Sequence, residues 1–392
     1  MVATIVFVGG EVRSSQRAAV LLKRLDRDVS CKTVQRVLGD VGDELVERRD
    51  HQRLSPEKIA LAPQLAVVQC DGGRILTREP DRGPGVHEQA WKETKNAGLF
   101  RMTSEVAEED PHCELPSAFV DRTRVAQFAE MACPENVAET AERPVFPDVS
   151  AEESSPENNR HRPRALVRTV IASMADSATF GQQMKREATQ RRFDEAPRRA
   201  FVGDGLPWNW TIHREHFSEY VAILDFMHVT SYLYAAATVI EPAADASWSL
   251  YLRLATDCWQ GRSEEVIGEL HAWLQQRGVE PEAVDKGHPL RPVADAWRYL
   301  NNNRGRMNYP AYRRAGLPVT SSLMESLVKQ INQRVKGTEM FWDRPEGAER
   351  MLQVRAAILS DDDRLVRYLS RRPGCPCVRR STAKRQTATN AA

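Results

Sequence analysis

The chain has 392 residues, enough for two or three domains and a substantial core. Lys and Arg number 55 against 54 Asp and Glu, a net charge of +1, so global charge does not mark a nucleic-acid binder. Seven scattered cysteines, an odd number, exclude a disulfide framework and fit a reducing cytoplasm. No run of about 18 apolar residues occurs, which excludes a helical membrane span. The apolar opening MVATIVFVGG is short and lacks the basic segment of a signal peptide. Cys375-Pro376-Cys377 is too tight and too isolated for a zinc site.

Two short helices are expected between 14 and 50. The first spans Ala18 to Leu25; Ser30 then caps Lys32-Thr33-Val34-Gln35-Arg36-Val37-Leu38, with Lys32, Gln35 and Arg36 outward. This is the shape of a helix-turn-helix whose second helix could enter a major groove, or of an ordinary helical hairpin with a solvated face. Leu65 to Cys70 predicts a strand. Asp71-Gly72-Gly73 reads as its turn, and Arg74 to Arg78 as a hairpin partner. A third strand, Trp91 to Met102, is expected after the glycine-rich loop at 81–85. The acid- and proline-rich stretch 134–163 reads as a linker or loop.

Leu166 to Phe193 carries Val167, Val170, Ile171, Met174 and Phe180 at helical spacing and is expected to be one helix. Its basic end (Lys185-Arg186, Arg191-Arg192) and Arg198-Arg199 read as a solvated face or a surface for phosphates. Two short apolar runs follow. Phe201-Val202-Gly203 ends in Asp204, and Val221-Ala222-Ile223-Leu224 ends in Asp225. Runs of this length predict buried parallel strands, which display their chemistry at their carboxyl ends. Helices are then expected over His228–Ile240, Trp248–Trp259, Ser263–Gln276 and Val293–Leu300. Another follows Thr320-Ser321-Ser322, carrying Glu325 with Lys329, Arg334 and Lys336 outward, and a last one runs from Gly347 to Leu359. The basic tail from 363 is expected to fray.

Asp71 and Asp204 at strand ends, with Glu325 on a helix, form the acid set that a metal-dependent hydrolase or nucleotidyl transferase needs. Each acid taken alone is more commonly a surface carboxylate. His228 reads equally as a core or capping histidine and as a catalytic or DNA-positioning one. Four of the 8 tryptophans, Trp248, Trp259, Trp273 and Trp297, fall in the helical block after Asp225. Amphipathic helices bury such rings. Trp259, closing a helix at Cys258-Trp259-Gln260-Gly261, is the candidate to stack instead on an unpaired base.

The ordered set Asp71-Gly72-Gly73, Phe201-Val202-Gly203-Asp204-Gly205 and Asp225-x-x-His228 resembles the DDE transposases of the Mutator-like superfamily. Thr320-Ser321-Ser322-Leu323-Met324-Glu325-Ser326, with Val335-Lys336-Gly337-Thr338-Glu339 and Phe341-Trp342, is similar to the Kra-type branch of bacterial insertion-sequence transposases. The resemblance spans about residues 60 to 362. It implies an α/β, RNase H-like fold, a mixed five-stranded sheet with flanking helices and an all-helical insertion. The domains would be a helix-turn-helix-like segment at 14–58, a catalytic domain in two parts at 62–240 and 306–362, the insertion at 241–305 and the tail at 363–392.

On that pattern Asp71, Asp204 and Glu325 are the catalytic, metal-binding trio, and Asp225 and His228 the accessory pair. The cofactor would be Mg²⁺, with Mn²⁺ as a substitute, since hard oxygen donors suit it. The implied partners are double-stranded DNA, namely terminal inverted repeats and target DNA, and further copies of the chain as a homodimer or higher oligomer. The expected location is the cytoplasm, on the nucleoid. Lys32, Gln35, Arg36, Lys329, Arg334, Lys336 and Trp259 are the expected DNA contacts. A nuclease of the same fold without strand transfer, or a truncated DNA-binding repressor, are the alternatives.

Overall fold

A computed structural model describes residues 1–51, 62–78, 90–132, 162–336 and 341–372. The expected glycine-rich loop at 81–85, nearly all of the 134–163 linker and the tail beyond 372 lie outside these. Helices α1 (Val2–Glu11), α2 (Ser15–Arg24) and α3 (Cys31–His51) open the chain. Ser14 caps α2, its hydroxyl accepting from the Arg17 N–H at 3.1 Å. The apolar opening is a helix with Ile5 and Val6 buried. The second predicted helix extends to His51 as α3.

Strand β1 (Leu65–Thr77) runs 13 residues straight through Asp71-Gly72-Gly73, so the hairpin expected there does not form. Its partner is β2 (Ala90–Met102), antiparallel from Leu65 opposite Met102 to Thr77 opposite Ala90. The reason is close packing across the pair. A Cβ on Gly73 would meet Thr94 Oγ1 at 2.7 Å, so this glycine makes room rather than turning the chain. After α4 (Arg122–Ala132) comes a second correction. Leu166 to Phe193 is a strand and a helix, β3 (Ala165–Ser173) and α5 (Ser177–Gln190). Val170 and Ala172 join one apolar cluster and Ile171 the other, which is strand alternation. Asp176 caps α5, accepting from the Thr179 N–H at 2.8 Å.

Strand β4 (Arg198–Gly203) pairs in parallel with β1, and β5 (Val221–Leu224) in parallel with β4, with α6 (Pro207–His216) between them. The sheet order is β3-β2-β1-β4-β5. Three antiparallel strands continued by two parallel ones are the RNase H-like arrangement, so the expected five-stranded mixed sheet stands, although β3 replaces the strand expected at Arg74. A helical block follows, of α7 (Phe226–Ile240), α8 (Ala244–Trp259), α9 (Ser263–Gln275), α10 (Arg291–Asn303) and α11 (Tyr309–Arg314); α8, α9 and α10 occupy the stretch expected as the insertion, 241–305. The block's apolar residues share one cluster with β1, β4 and β5.

The chain closes with α12 (Ser322–Val335), α13 (Pro345–Leu359) and α14 (Arg364–Arg371). These pack with α1, α2 and α3 in a second cluster that also takes Ile75, Val170 and Ala172. The start of the expected tail is therefore ordered, with Leu365 and Leu369 buried. Trp342 pairs with the end of β1: its N–H donates to the Leu76 carbonyl and its indole N–H to the Val335 carbonyl at the end of α12.

Candidate active site

The sheet itself sets the first two acids side by side. Cys70 is paired with Gly203, so at the next position Asp71, still within β1, stands beside Asp204, just past the end of β4. Such strands lie about 4.8 Å apart. Asp71 also faces Asn96 across β2. Asp204 is flanked by two glycines that each give way to a neighbour. A Cβ on Gly203 would come within 3.2 Å of the Trp210 ring and 3.3 Å of Asn209 Nδ2. One on Gly205, whose φ is +95°, would meet the Tyr299 ring at 2.5 Å. Tyr299 donates its hydroxyl to the Asp204 carbonyl at 2.8 Å. Asp204 Oδ1 accepts from the Leu206 N–H at 2.9 Å and from Asn209 Nδ2. Asn209 and Tyr299 are site residues that motif reading missed. The only sequence signal was their position, five residues past Asp204 and deep in the insertion.

Asp225, wholly buried, joins three elements. It caps α7, accepting from the N–H groups of Met227 and His228 at 3.4 Å. It accepts from the Ser321 N–H at the start of α12 at 2.7 Å, and from His228 Nδ1 at 2.6 Å. Gln69 on β1 adds a bond to the Thr320 carbonyl at 3.2 Å. These ties set the first turn of α12, and with it Glu325, against the sheet edge. Among the described residues the ligand atoms that come within 4.8 Å of one another are those of Asp225, His228 and Glu325, so of the expected metal trio this group holds Glu325 but not Asp71 or Asp204.

The electrostatics mark an acid cluster short of cation. Burial drives Asp204 up, His228 opposes it and Asp71 adds to it, leaving its carboxyl at about 6. Burial and the charges of Asp225 and Asp71 outweigh His228 and Lys329 at Glu325, which rises to about 8. Glu325 Oε2 is buried with no hydrogen-bond partner among the described residues. His228 goes the other way: burial disfavours its charge, but the hydrogen bond and charge of Asp225, then Asp204 and Glu325, lift it to about 10. Hard oxygen donors and an orphaned buried carboxylate oxygen fit a divalent cation of the Mg²⁺ kind. Asp71, Asp204 and Glu325 suit that role better than Asp225, whose oxygens already accept four hydrogen bonds.

The expected DNA contacts fare unevenly. Lys32, Gln35 and Arg36 are exposed on α3, with Arg36 3.9 Å from Asp40. Lys329 is half-buried one turn beyond Glu325, and Lys336 Nζ lies 5.4 Å from the centre of the Trp91 ring. Arg334 does not point outward. It is 3% exposed and donates to the Gly9 carbonyl at the end of α1 and the Arg13 carbonyl just past it, so it cannot meet DNA. Trp259 is 3% exposed, donates its indole N–H to the His112 carbonyl at 2.8 Å and packs edge-on against Phe226. It is a core residue, and no ring face is left for a base.

Among the described residues no helix is long and apolar enough to cross a membrane. No protein-family model matches the chain, and no curated protein matches it. The resemblance to the Mutator-like superfamily and its Kra-type branch rests on the motif residues alone. Among solved structures the Drosophila P element transposase strand transfer complex is similar, at 9% identity and a TM-score of 0.39, over 93% of this chain and 92% of that one. At that score the likeness decides nothing about chemistry; the fold stands on its strand order and the site on its side chains.

Proposed function

We propose that the chain is a metal-dependent DNA transposase that cuts strands at element ends and joins them to target DNA. One observation supports this reading: Asp71 and Asp204 stand side by side on adjacent strands, and the charge of Asp71 acts on both Asp204 and Glu325, whose carboxyls are raised to about 6 and about 8. These three would hold Mg²⁺, or Mn²⁺ in its place. Bound there, divalent cations supply Lewis acidity for an in-line displacement at phosphorus by water or a 3′-hydroxyl. The chain's own groups do the rest. Asp225 holds His228 by Nδ1 and keeps it charged, a fixed cation to receive a phosphate beside the acids. Lys329 adds charge one turn along α12. Lys32, Gln35 and Arg36 take the DNA duplex, and further copies of the chain assemble on it.

Asp204→Asn is expected to abolish nicking of end-containing DNA in Mg²⁺ while leaving DNA binding in place, and Asp71→Asn and Glu325→Gln to behave alike. An Asp204→Asn protein that nicks at the wild-type rate overturns the assignment. Products in which element 3′ ends are joined to target DNA separate a transposase from a plain nuclease.

A further inference from the structure

Asn209 lies wholly buried on α6, and both ends of its carboxamide are committed. Cys70 Sγ, on the residue just before Asp71, donates to Asn209 Oδ1 at 3.3 Å. Asn209 Nδ2 donates to Asp204 Oδ1. This fixes the amide's sense, because turned around it would set a carbonyl against a carboxylate and an NH₂ against a thiol hydrogen. The Leu206 N–H is a second donor to the same Asp204 oxygen. Among the described residues no hydrogen bond reaches Asp204 Oδ2. Gly203 is what admits the amide, since a Cβ there would crowd Asn209 Nδ2 at 3.3 Å and its Cβ at 3.4 Å.

We propose that Asn209 is a positioning residue that turns Asp204 Oδ1 into the protein, leaves Oδ2 as its cation-binding oxygen, and sets this from the strand that carries Asp71. The inference rests on the metal-dependent reading above and deepens it. One buried amide spans both acid-bearing strands, so the separation of the two acids depends on a side chain as well as on the ladder between β1 and β4. Groups that orient a metal-binding carboxylate in this way typically change metal affinity or activity by about 10- to 100-fold when removed.

The test is Mn²⁺ titration of the full chain without DNA, beside single-turnover nicking in Mg²⁺ and a thermal melt in EDTA. Asn209→Leu is expected to weaken Mn²⁺ binding by about 10- to 100-fold. It should lower the nicking rate at saturating DNA, with the DNA concentration for half-saturation unchanged. Cys70→Ala, which keeps the amide but removes its orienting donor, should shift both in the same direction by a smaller factor. Cys70→Ser, whose hydroxyl can still donate to Oδ1, should restore wild-type affinity. Cys70→Ala carries the test if Asn209→Leu shows no cooperative melt. Wild-type Mn²⁺ affinity in the folded variants overturns the inference. So does a loss that Cys70→Ser fails to restore and that follows the fall in melting temperature. A wild-type chain that takes up no Mn²⁺ overturns the functional reading as well; one that binds while both variants bind equally well overturns only the role of Asn209.

Discussion

Gly205 shows how narrowly a single position can be specified. Its φ of +95° lies where a Cβ is strained, and that Cβ would strike the Tyr299 ring at 2.5 Å. Gly205→Ala is therefore expected to cost about 1–3 kcal/mol of backbone strain, with a further penalty for moving Tyr299 away from the Asp204 carbonyl. Denaturant unfolding measures the first, and the nicking rate reports the second. Trp259 illustrates the reverse case, a residue with functional promise that packing claims. Its ring contacts Phe226 and lies under the Arg313 guanidinium at 4.1 Å. Trp259→Ala should cost about 3–5 kcal/mol as a large core truncation. An unchanged melting temperature would return Trp259 to the surface.

At the scale of elements, buried arginines hold the helices together. Arg334 on α12 and Arg355 on α13 both donate to carbonyls at the end of α1, those of Gly9 and Gly10. The helix bearing Glu325 is thereby tied to the first helix of the chain. Burial, with Arg355 beside it, lowers Arg334 to about 10, and it keeps its charge at neutral pH. The basic run before β4 is similarly absorbed. Arg191 donates to Asp362 and Glu187, joining α5 to the turn before α14, instead of facing a phosphate. Burial would raise Asp362, but the charges of Arg364 and Arg191 and their hydrogen bonds outweigh it and hold the carboxyl well below its usual range. A depressed folded-state value means that this contact stabilises above about pH 4, the unfolded carboxylate value. The stabilisation is lost as pH falls through the folded-state value. The stability difference between wild type and Asp362→Asn should be full at pH 7 and shrink steadily below pH 4. Denaturant unfolding at several pH values checks this, and a difference that grows on acidification would refute it.

At the scale of the whole molecule, α1–α3 share a core with α12, α13 and β3, so the expected DNA-reading segment is braced against the sheet. Lys32 and Arg36 remain exposed on α3. If both contact phosphates, replacing them with Ala should reduce the slope of log affinity against log salt by about 1.8, at roughly 0.9 per contact on duplex DNA. Gln35→Ala should relax sequence preference with little change in slope. Unchanged slopes in the double variant would make this face an ordinary solvated one.

Much of the architecture is local and therefore legible in the chain. Short apolar runs ending in Asp204 and Asp225 became β4 and β5, because runs of about four apolar residues are too short for a helix but long enough for a buried strand. The helices after Asp225 and the one carrying Glu325 followed from their periodicity, although the expected cap at Thr320-Ser321-Ser322 makes no side-chain hydrogen bond to α12. What failed was decided between distant residues. Asp71-Gly72-Gly73 favours a turn until β2 lies beside it, and then Gly73 serves the close approach of Thr94. Val167, Val170, Ile171 and Met174 satisfy helical and strand spacing alike, and only the free edge of β2 selects β3. Which face of α12 is buried depended on α1, whose carbonyls draw Arg334 inward. The sequence alone determined which acids the chain could offer and on which elements. Tertiary structure decided which of them lie together: the pairing of Cys70 with Gly203 sets Asp71 beside Asp204, and the bond from Ser321 to Asp225 brings the turn of Glu325 to Asp225 and His228, across gaps no local pattern can span.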